Sequence, residues 1–542
     1  MSQALFFSSR VARISALVLI FGASLAIRFY DLTDLPLDFH PTRQLVSIIK
    51  ARGLYYETQP DGVSTWQLET GIRHAKLKAD VEPVVLERLV AFTYRFTGEQ
   101  LWVARVYSSL FWLIGGIFLF LLAREFVSFE GAIFSTAYYL VFPYAIIGSR
   151  SFQPDPLMVM LVLAFWWVFA RWVALTPTPS PPPPNATMKT WDAHGRVNSS
   201  DLGEVPAKRA VAVAILAGLL GGLAIFIKFS AAFFIIGGAL GLALSRFRLR
   251  DLLSNVQVWL IALLGALPAA LYLGYGIFIR GDLAKAFSGR FVPALLFNPL
   301  NYLQWATKAN LAVGGLFIML GLLGFFLTKD KHLRSFLVGL WGSYILYGLF
   351  FNYHIATHDY YHLPLLPIVA LSMGPIGEWF FARLTEAPVQ GWMRSAVYVV
   401  LIYGLFSPLW DARNQLKVVD YRPEAAMWAE IGEQFDDEAR VIALTQDYGS
   451  RLQYWGWQTV STWPYVGDVG YANIRGGVFT FDDLFQRYSS KMSYFLVTDF
   501  EEFNRQSELK ERLFRSYPIY FEGDGYVIFD LKNPIQQDVN GS

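Results

Sequence analysis

The sequence predicts a polytopic α-helical membrane protein of about eleven spans, carrying a small α/β domain at its C-terminal end. Two compositional observations and one pattern carry the first part of this. Hydrophobic residues make up 54% of the 542 positions and charged residues only 16%, against roughly 45–50% and about 25% in soluble globular chains. Apolar runs of spanning length also recur along the first 411 residues. The 45 basic residues nearly balance the 43 acidic ones, so no nucleic-acid partner is implied. With no cysteine, disulfides, thiolate nucleophiles and Cys-ligated metals are excluded.

A span needs about 17–25 mainly apolar residues. Runs that satisfy this lie near 11–29, 102–123, 129–147, 155–174, 209–227, 230–246, 256–279, 310–328, 335–352, 362–382 and 395–411. The first follows Arg10 and Arg13 and ends at Arg28-Phe29-Tyr30, an interfacial anchor rather than a small-residue cleavage site, so it reads as a retained signal anchor. Basic residues set the orientation. With the N-terminus inside, the cytoplasmic ends collect Arg124, Arg171, Arg246, Arg248, Arg250, Lys329, Lys331, Arg334, Arg383 and Arg394. The outer connections hold fewer, and the odd span count places the C-terminus outside. The expected location is a bacterial-type plasma membrane.

Two polar pieces then share the outer face: the first loop, 30–101, and the tail, 412–542. Residues 1–411 form the membrane domain on this reading, with a proline-rich cytoplasmic linker over 176–208. In the tail, Pro423 to Phe435 has helical spacing, and 441–444, 494–497 and 526–529 read as short strands. In the loop, Leu45 to Tyr56 reads as an interfacial helix, with Leu45, Ile48, Ile49 and Tyr56 toward lipid and Lys50 and Arg52 snorkelling.

Ionisable residues avoid the middles of the runs and gather at their outer ends: Arg28, Asp38, Arg105, Arg150, Asp155, Lys228, His358 and Asp359. A site at the outer surface follows, for a substrate with a polar head and an apolar part left in lipid. Tyr30 to Gln44 packs Asp31, Asp34, Asp38, His40 and Arg43 directly after a span. A solvated juxtamembrane loop is the plain alternative. Asp155, between Pro154 and Pro156, is either a helix cap or a site carboxylate. Lys228 ends an apolar run and is either a snorkelling lysine or an anion ligand. His354, His358 and His362 have a spacing that permits a metal, substrate hydrogen bonding or interfacial packing.

Several stretches together resemble the GT-C class of polytopic glycosyltransferases, especially bacterial relatives of the protein O-mannosyltransferases and the lipid A aminoarabinose transferase. They are Glu82-Pro83 with 86–98 and 104–108, Ser149 to Leu157, Gly218 to Lys228, and His358 to Pro364. The likeness covers roughly residues 10–410. It implies transfer of a hexose or pentose from a polyprenyl-phosphate donor to a lipid, polysaccharide or protein acceptor, by single displacement with inversion. Many members carry an Asp-Glu pair just after a His-Pro element, whereas here His40-Pro41 is followed by Thr42-Arg43. The catalytic role is therefore assigned to Asp38, with Asp34 as the fallback, and to Asp155. Lys228, Arg290 and Arg150 are the expected donor-phosphate ligands. His40, Arg43, His358, Asp359 and Tyr360 are the expected substrate contacts, with no protein metal site assigned and a divalent ion left open. The competing reading is a transporter or flippase for a lipid-linked saccharide. The tail is expected to pack over the outer opening and favour acceptor choice.

Overall fold

The computed structural model describes residues 6–177, 204–287, 289–386, 391–436, 438–477 and 479–536. The chain divides into two compact units. The proline-rich linker falls mostly outside the described residues.

The first unit comprises Met1–Leu32, Asp80–Pro83 and Ala104–Val418 and is helical. Among the described residues, eight helices are long and apolar enough to cross a membrane: Arg10–Arg28, Trp102–Ala123, Asp155–Leu175, Lys208–Ile227, Val256–Arg280, Lys331–Phe350, Asp359–Thr385 and Ser395–Leu416. Two further runs are broken helices. Phe129–Val141 and Pro143–Ser149 meet at 60°, and Pro299–Val313 and Gly315–Leu327 at 89°. Each break has a local cause. Pro143 holds Phe142 in an extended conformation (ψ 131°), and Gly314 has φ 77°, which a side chain would resist. Ala231–Leu244 is 14 residues, about 21 Å at 1.5 Å per residue, short of a roughly 30 Å hydrocarbon core. Each expected apolar run is thus helical: among the described residues eight are single helices of spanning length, two are broken pairs, and the remaining run is the shorter Ala231–Leu244. Close packing explains some glycines here: a Cβ on Gly339 would lie 2.2 Å from the Gly237 carbonyl oxygen.

The second unit comprises Thr33–Ala79, Val84–Val103 and Val419–Ser542. Its sheet has β1 Val441–Leu444, β2 Val460–Thr462, β3 Tyr494–Val497, β4 Ile519–Gly523 and β5 Tyr526–Asp530, ordered β2-β1-β3-β5-β4. The pairs β2-β1 and β1-β3 are parallel, and β5 is antiparallel to β3 and β4. The central strands are buried on both faces, so they read as continuous apolar runs. Ile442, Leu444, Phe495, Val497, Val527 and Phe529 pack on one side with Trp463. Val441, Ala443, Leu496 and Ile528 pack on the other with Trp428. The expected helix in the tail is present as Glu424–Glu433.

The helix expected at 45–56 is present as Pro41–Tyr56, but its environment is not lipid. Leu45, Ile48, Ile49 and Tyr56 are buried in protein, and so are Lys50 and Arg52. The helix packs against Thr65–Leu77, Val85–Thr97 and Ser450–Trp455. Lys50 donates to the Ala79 carbonyl at 2.7 Å. Arg52 pairs with Glu99 at 2.7 Å, donates to the Tyr454 carbonyl and lies 3.5 Å from the Tyr454 ring centroid. The cations do not snorkel because their partners come to them.

Candidate active site

In the first unit the polar side chains meet where helices end. Asp155 opens Asp155–Leu175 and has only 1% of its surface exposed; Pro156 costs no hydrogen bond in the first helical turn. Lys228 follows Glu204–Ile227 and is 6% exposed. Its ammonium lies 2.8 and 2.9 Å from the two Asp155 carboxylate oxygens. The N-cap position is Pro154; both Asp155 oxygens accept from Lys228, and Lys228 does not extend to water. Either ion alone would carry a desolvation cost of several kcal/mol at this depth.

Tyrosines enclose the pair. The Lys228 ammonium is 5.2 Å from the Tyr360 ring centroid and 5.4 Å from that of Tyr361, within cation–π range. Tyr144, in the short helix Pro143–Ser149, lies close to Asp359, Asp155 and Tyr360. Tyr347 stacks on Tyr361 at 6.0 Å and 14°. Asp155, Lys228, Asp359 and Tyr360 are therefore brought together.

The three histidines do not lie on one helix. His354 belongs to Asn352–Thr357, whereas His362 lies in the following turn. The His362 ring nitrogens are occupied, Nδ1 by the Tyr344 hydroxyl at 2.8 Å and Nε2 by the Ile355 carbonyl at 2.9 Å. His354 stacks with His358 at 5.7 Å and Tyr361 at 5.5 Å. Burial, then the Arg290 charge and His358, push the His354 pKa down to about 3. Among the described residues, no group of three or more His, Cys, Asp or Glu side chains is arranged to hold a metal ion.

The expected phosphate ligands occupy different settings. Arg290 is half-buried, 5.0 Å from the Phe287 ring centroid and close to His354. Arg150 is buried and donates to the carbonyls of Tyr30 and Asp31 at 2.8 and 2.9 Å. Arg105 reaches the Asp31 carbonyl at 3.3 Å, and Arg28 donates to Ser149 and the Leu140 carbonyl. These arginines fix the chain that leaves the first helix.

Asp38, His40 and Arg43 belong to the second unit. Asp34 is 5% exposed and accepts from the backbone N–H groups of Leu35 at 2.8 Å and Tyr421 at 3.0 Å, with Arg422 at 3.9 Å. Asp38 is half-buried and close to the Tyr421 phenol. His40 is left-handed (φ 45°, ψ 63°), caps Pro41–Tyr56 and sits edge-on to Phe39. Arg43 lies in the first turn of that helix, half-buried.

Tyr144, Tyr361, Tyr347 and Tyr421 were not singled out by the sequence. The signal for Tyr144 was available: a proline inside an apolar run, followed at once by a polar aromatic residue.

Comparison with known proteins agrees with this architecture. Residues 81–177 match the family model described as dolichyl-phosphate-mannose–protein mannosyltransferase. ArnT from Cupriavidus metallidurans in the apo state matches with a TM-score of 0.55 at 14% identity, over 96% of this chain and 98% of that one. The same protein bound to undecaprenyl phosphate gives 0.52 at 13%, over 95% and 97%. The archaeal oligosaccharyltransferase AglB from Archaeoglobus fulgidus, in complex with an inhibitory peptide and a dolichol-phosphate, gives 0.54 at 11%, over 99% and 75%. No curated protein sequence matches the chain. The fold is that of the GT-C class of polytopic membrane glycosyltransferases. Within it, the solved structures reported above are an ArnT and an oligosaccharyltransferase.

Proposed function

We propose that this protein transfers a sugar from a polyprenyl-phosphate donor to an acceptor hydroxyl at the extracytoplasmic face, by single displacement with inversion. The observation that carries this is the buried Asp155–Lys228 pair, enclosed by Tyr360, Tyr361 and Tyr144, at helix ends of a GT-C fold. A polyprenyl phosphate leaves as an anion and needs no general acid. It needs positive charge in a partly desolvated place. Lys228 supplies it: Asp155 takes two of the three ammonium donors and fixes their direction, which leaves one for a phosphate oxygen. Arg290 is the second candidate ligand. Arg150, engaged with two carbonyls, shapes the entrance to the loop and adds charge.

The reaction also needs one carboxylate to accept the proton of the attacking hydroxyl and align it. This role is assigned to Asp38, with Asp34 as the fallback; Asp34 Oδ1 accepts from the backbone N–H groups of Leu35 and Tyr421 and lies 3.9 Å from Arg422, which ties it to the surrounding backbone. Asp359 and Tyr360, with His358, are the proposed sugar contacts, as are His40 and Arg43. Purified protein is to be incubated with a panel of polyprenyl-phosphate hexoses and pentoses and hydroxyl acceptors. Mass spectrometry should then show a new glycoside and the released polyprenyl phosphate. Sugar crossing vesicle membranes with its donor bond intact would favour a flippase instead.

A further inference from the structure

The segment around Asp38 is held within its unit by residues from the far end of the chain. Before Asp38, the Tyr421 backbone N–H donates to Asp34 at 3.0 Å, and Arg422 reaches Asp34 at 3.9 Å and the Thr33 hydroxyl at 3.4 Å. After Asp38, the Thr42 hydroxyl donates to the Asp447 carboxylate at 2.8 Å. The other Asp447 oxygen accepts from Arg451 Nε at 2.6 Å, and Arg451 also pairs with Glu424. Glu424 in turn accepts from the indole N–H of Trp428, a fully buried core residue.

The turn that presents Asp447 is strained. Asp447 (φ 53°, ψ 32°) and Tyr448 (φ 53°, ψ 41°) are both left-handed, followed by Gly449 at φ 74°. Side-chain-bearing L residues resist that region, and such conformations persist only where surrounding contacts over-determine them. Gly449 admits no side chain, since a Cβ there would lie 2.2 Å from Val460. His40, between Asp38 and Thr42, is left-handed as well. The hydrogen bond from Thr42, two residues after His40, thus links the neighbourhoods of two unfavourable backbone corners, and the Tyr421 phenol lies near Asp38. Burial, then the nearby Asp38 charge, push the Tyr421 pKa up, so the phenol remains a donor at neutral pH.

We infer that the C-terminal tail is a positioning element for the catalytic loop: Tyr421 and Arg422 pin it at Asp34, Asp447 pins it at Thr42, and together they set the direction of the Asp38 carboxylate. The inference rests on the reading of Asp38 as the base. It also revises the expected purpose of the tail, from choosing the acceptor to aiming the base, which every acceptor requires.

The test uses the full-length protein in liposomes and the donor in the panel that wild type turns over fastest. Transfer to the hydroxyl acceptor and to water are measured side by side. Thr42→Val should lower kcat for both by about tenfold to a hundredfold, the scale of a misaimed group. Donor KM should stay within about twofold, because ground-state binding is not touched, and the unfolding temperature should fall only by the worth of about one hydrogen bond. Thr42→Ser, which keeps the hydroxyl, should restore most of the rate. Asp447→Asn carries the same prediction should Thr42→Val fail to fold. Wild-type turnover in Thr42→Val and Asp447→Asn, beside an inactive Asp38→Asn, would overturn the inference. So would an effect confined to acceptor KM, which would assign the tail to acceptor choice. Wild-type turnover in Asp38→Asn would instead remove the reading beneath it.

Discussion

The Lys228 ammonium sits 2.8 Å from one Asp155 oxygen and 2.9 Å from the other, with both side chains out of contact with bulk solvent. Each ion makes the burial of the other affordable, so removing one is costly. Lys228→Ala should destabilise the protein by about 3–5 kcal/mol. Lys228→Met with Asp155→Leu should regain much of that stability but none of the activity. Thermal unfolding in detergent and turnover, measured on the same preparations, separate the two effects.

Asp34 and Asp38 should divide cleanly. Asp38→Asn should abolish transfer and leave the unfolding temperature near wild type. Asp34→Asn keeps shape but weakens the bonds to Tyr421 and Arg422. It should cost about 1–3 kcal/mol of stability and retain measurable turnover.

The contrast between these two carboxylates shows what the sequence made legible. Apolar run length located the helices, and continuous apolar tetrads located β1, β3 and β5, because both are patterns local to the chain. β2 was missed because it is three residues long and half-exposed, and β4 because it is an exposed edge strand. The breaks at Pro143 and Gly314 were read as continuous spans, since hydropathy is blind to direction. Asp155 and Lys228 were both named, but their mutual contact spans 73 positions and no local pattern announces it. The burial of Arg52 was invisible for the same reason, since Tyr454 comes from the far end of the chain. That Asp34 Oδ1 holds the backbone N–H groups of Leu35 and Tyr421 was not legible either, since Tyr421 lies 387 positions away.

Tyr144 sits at the Asp359 carboxylate without belonging to any motif of the sequence. Tyr144→Phe removes one donor and little volume. Turnover should fall about tenfold if the hydroxyl donates to Asp359 during the reaction, with the unfolding temperature nearly unchanged. A loss of stability without loss of turnover would assign Tyr144 to packing.

His74 is buried, with its pKa pushed down to about 4 by burial first and by the Arg73, Arg52 and Lys78 charges next. The unfolded chain takes up this proton near pH 6.5 and the folded one does not. Stability is therefore full above about pH 6.5 and falls as pH drops toward 4, by on the order of 3 kcal/mol in all. His74→Gln should flatten that part of the stability profile, as followed by unfolding at stepped pH.

The central claim is tested most directly by the anomeric outcome of one turnover. Purified protein, a polyprenyl-phosphate sugar of known configuration and a hydroxyl acceptor should yield a glycoside of the opposite configuration, read by NMR. Asp38→Asn should yield none. A glycoside of retained configuration would contradict the single-displacement account, and an unchanged yield from Asp38→Asn would contradict the assignment of the base.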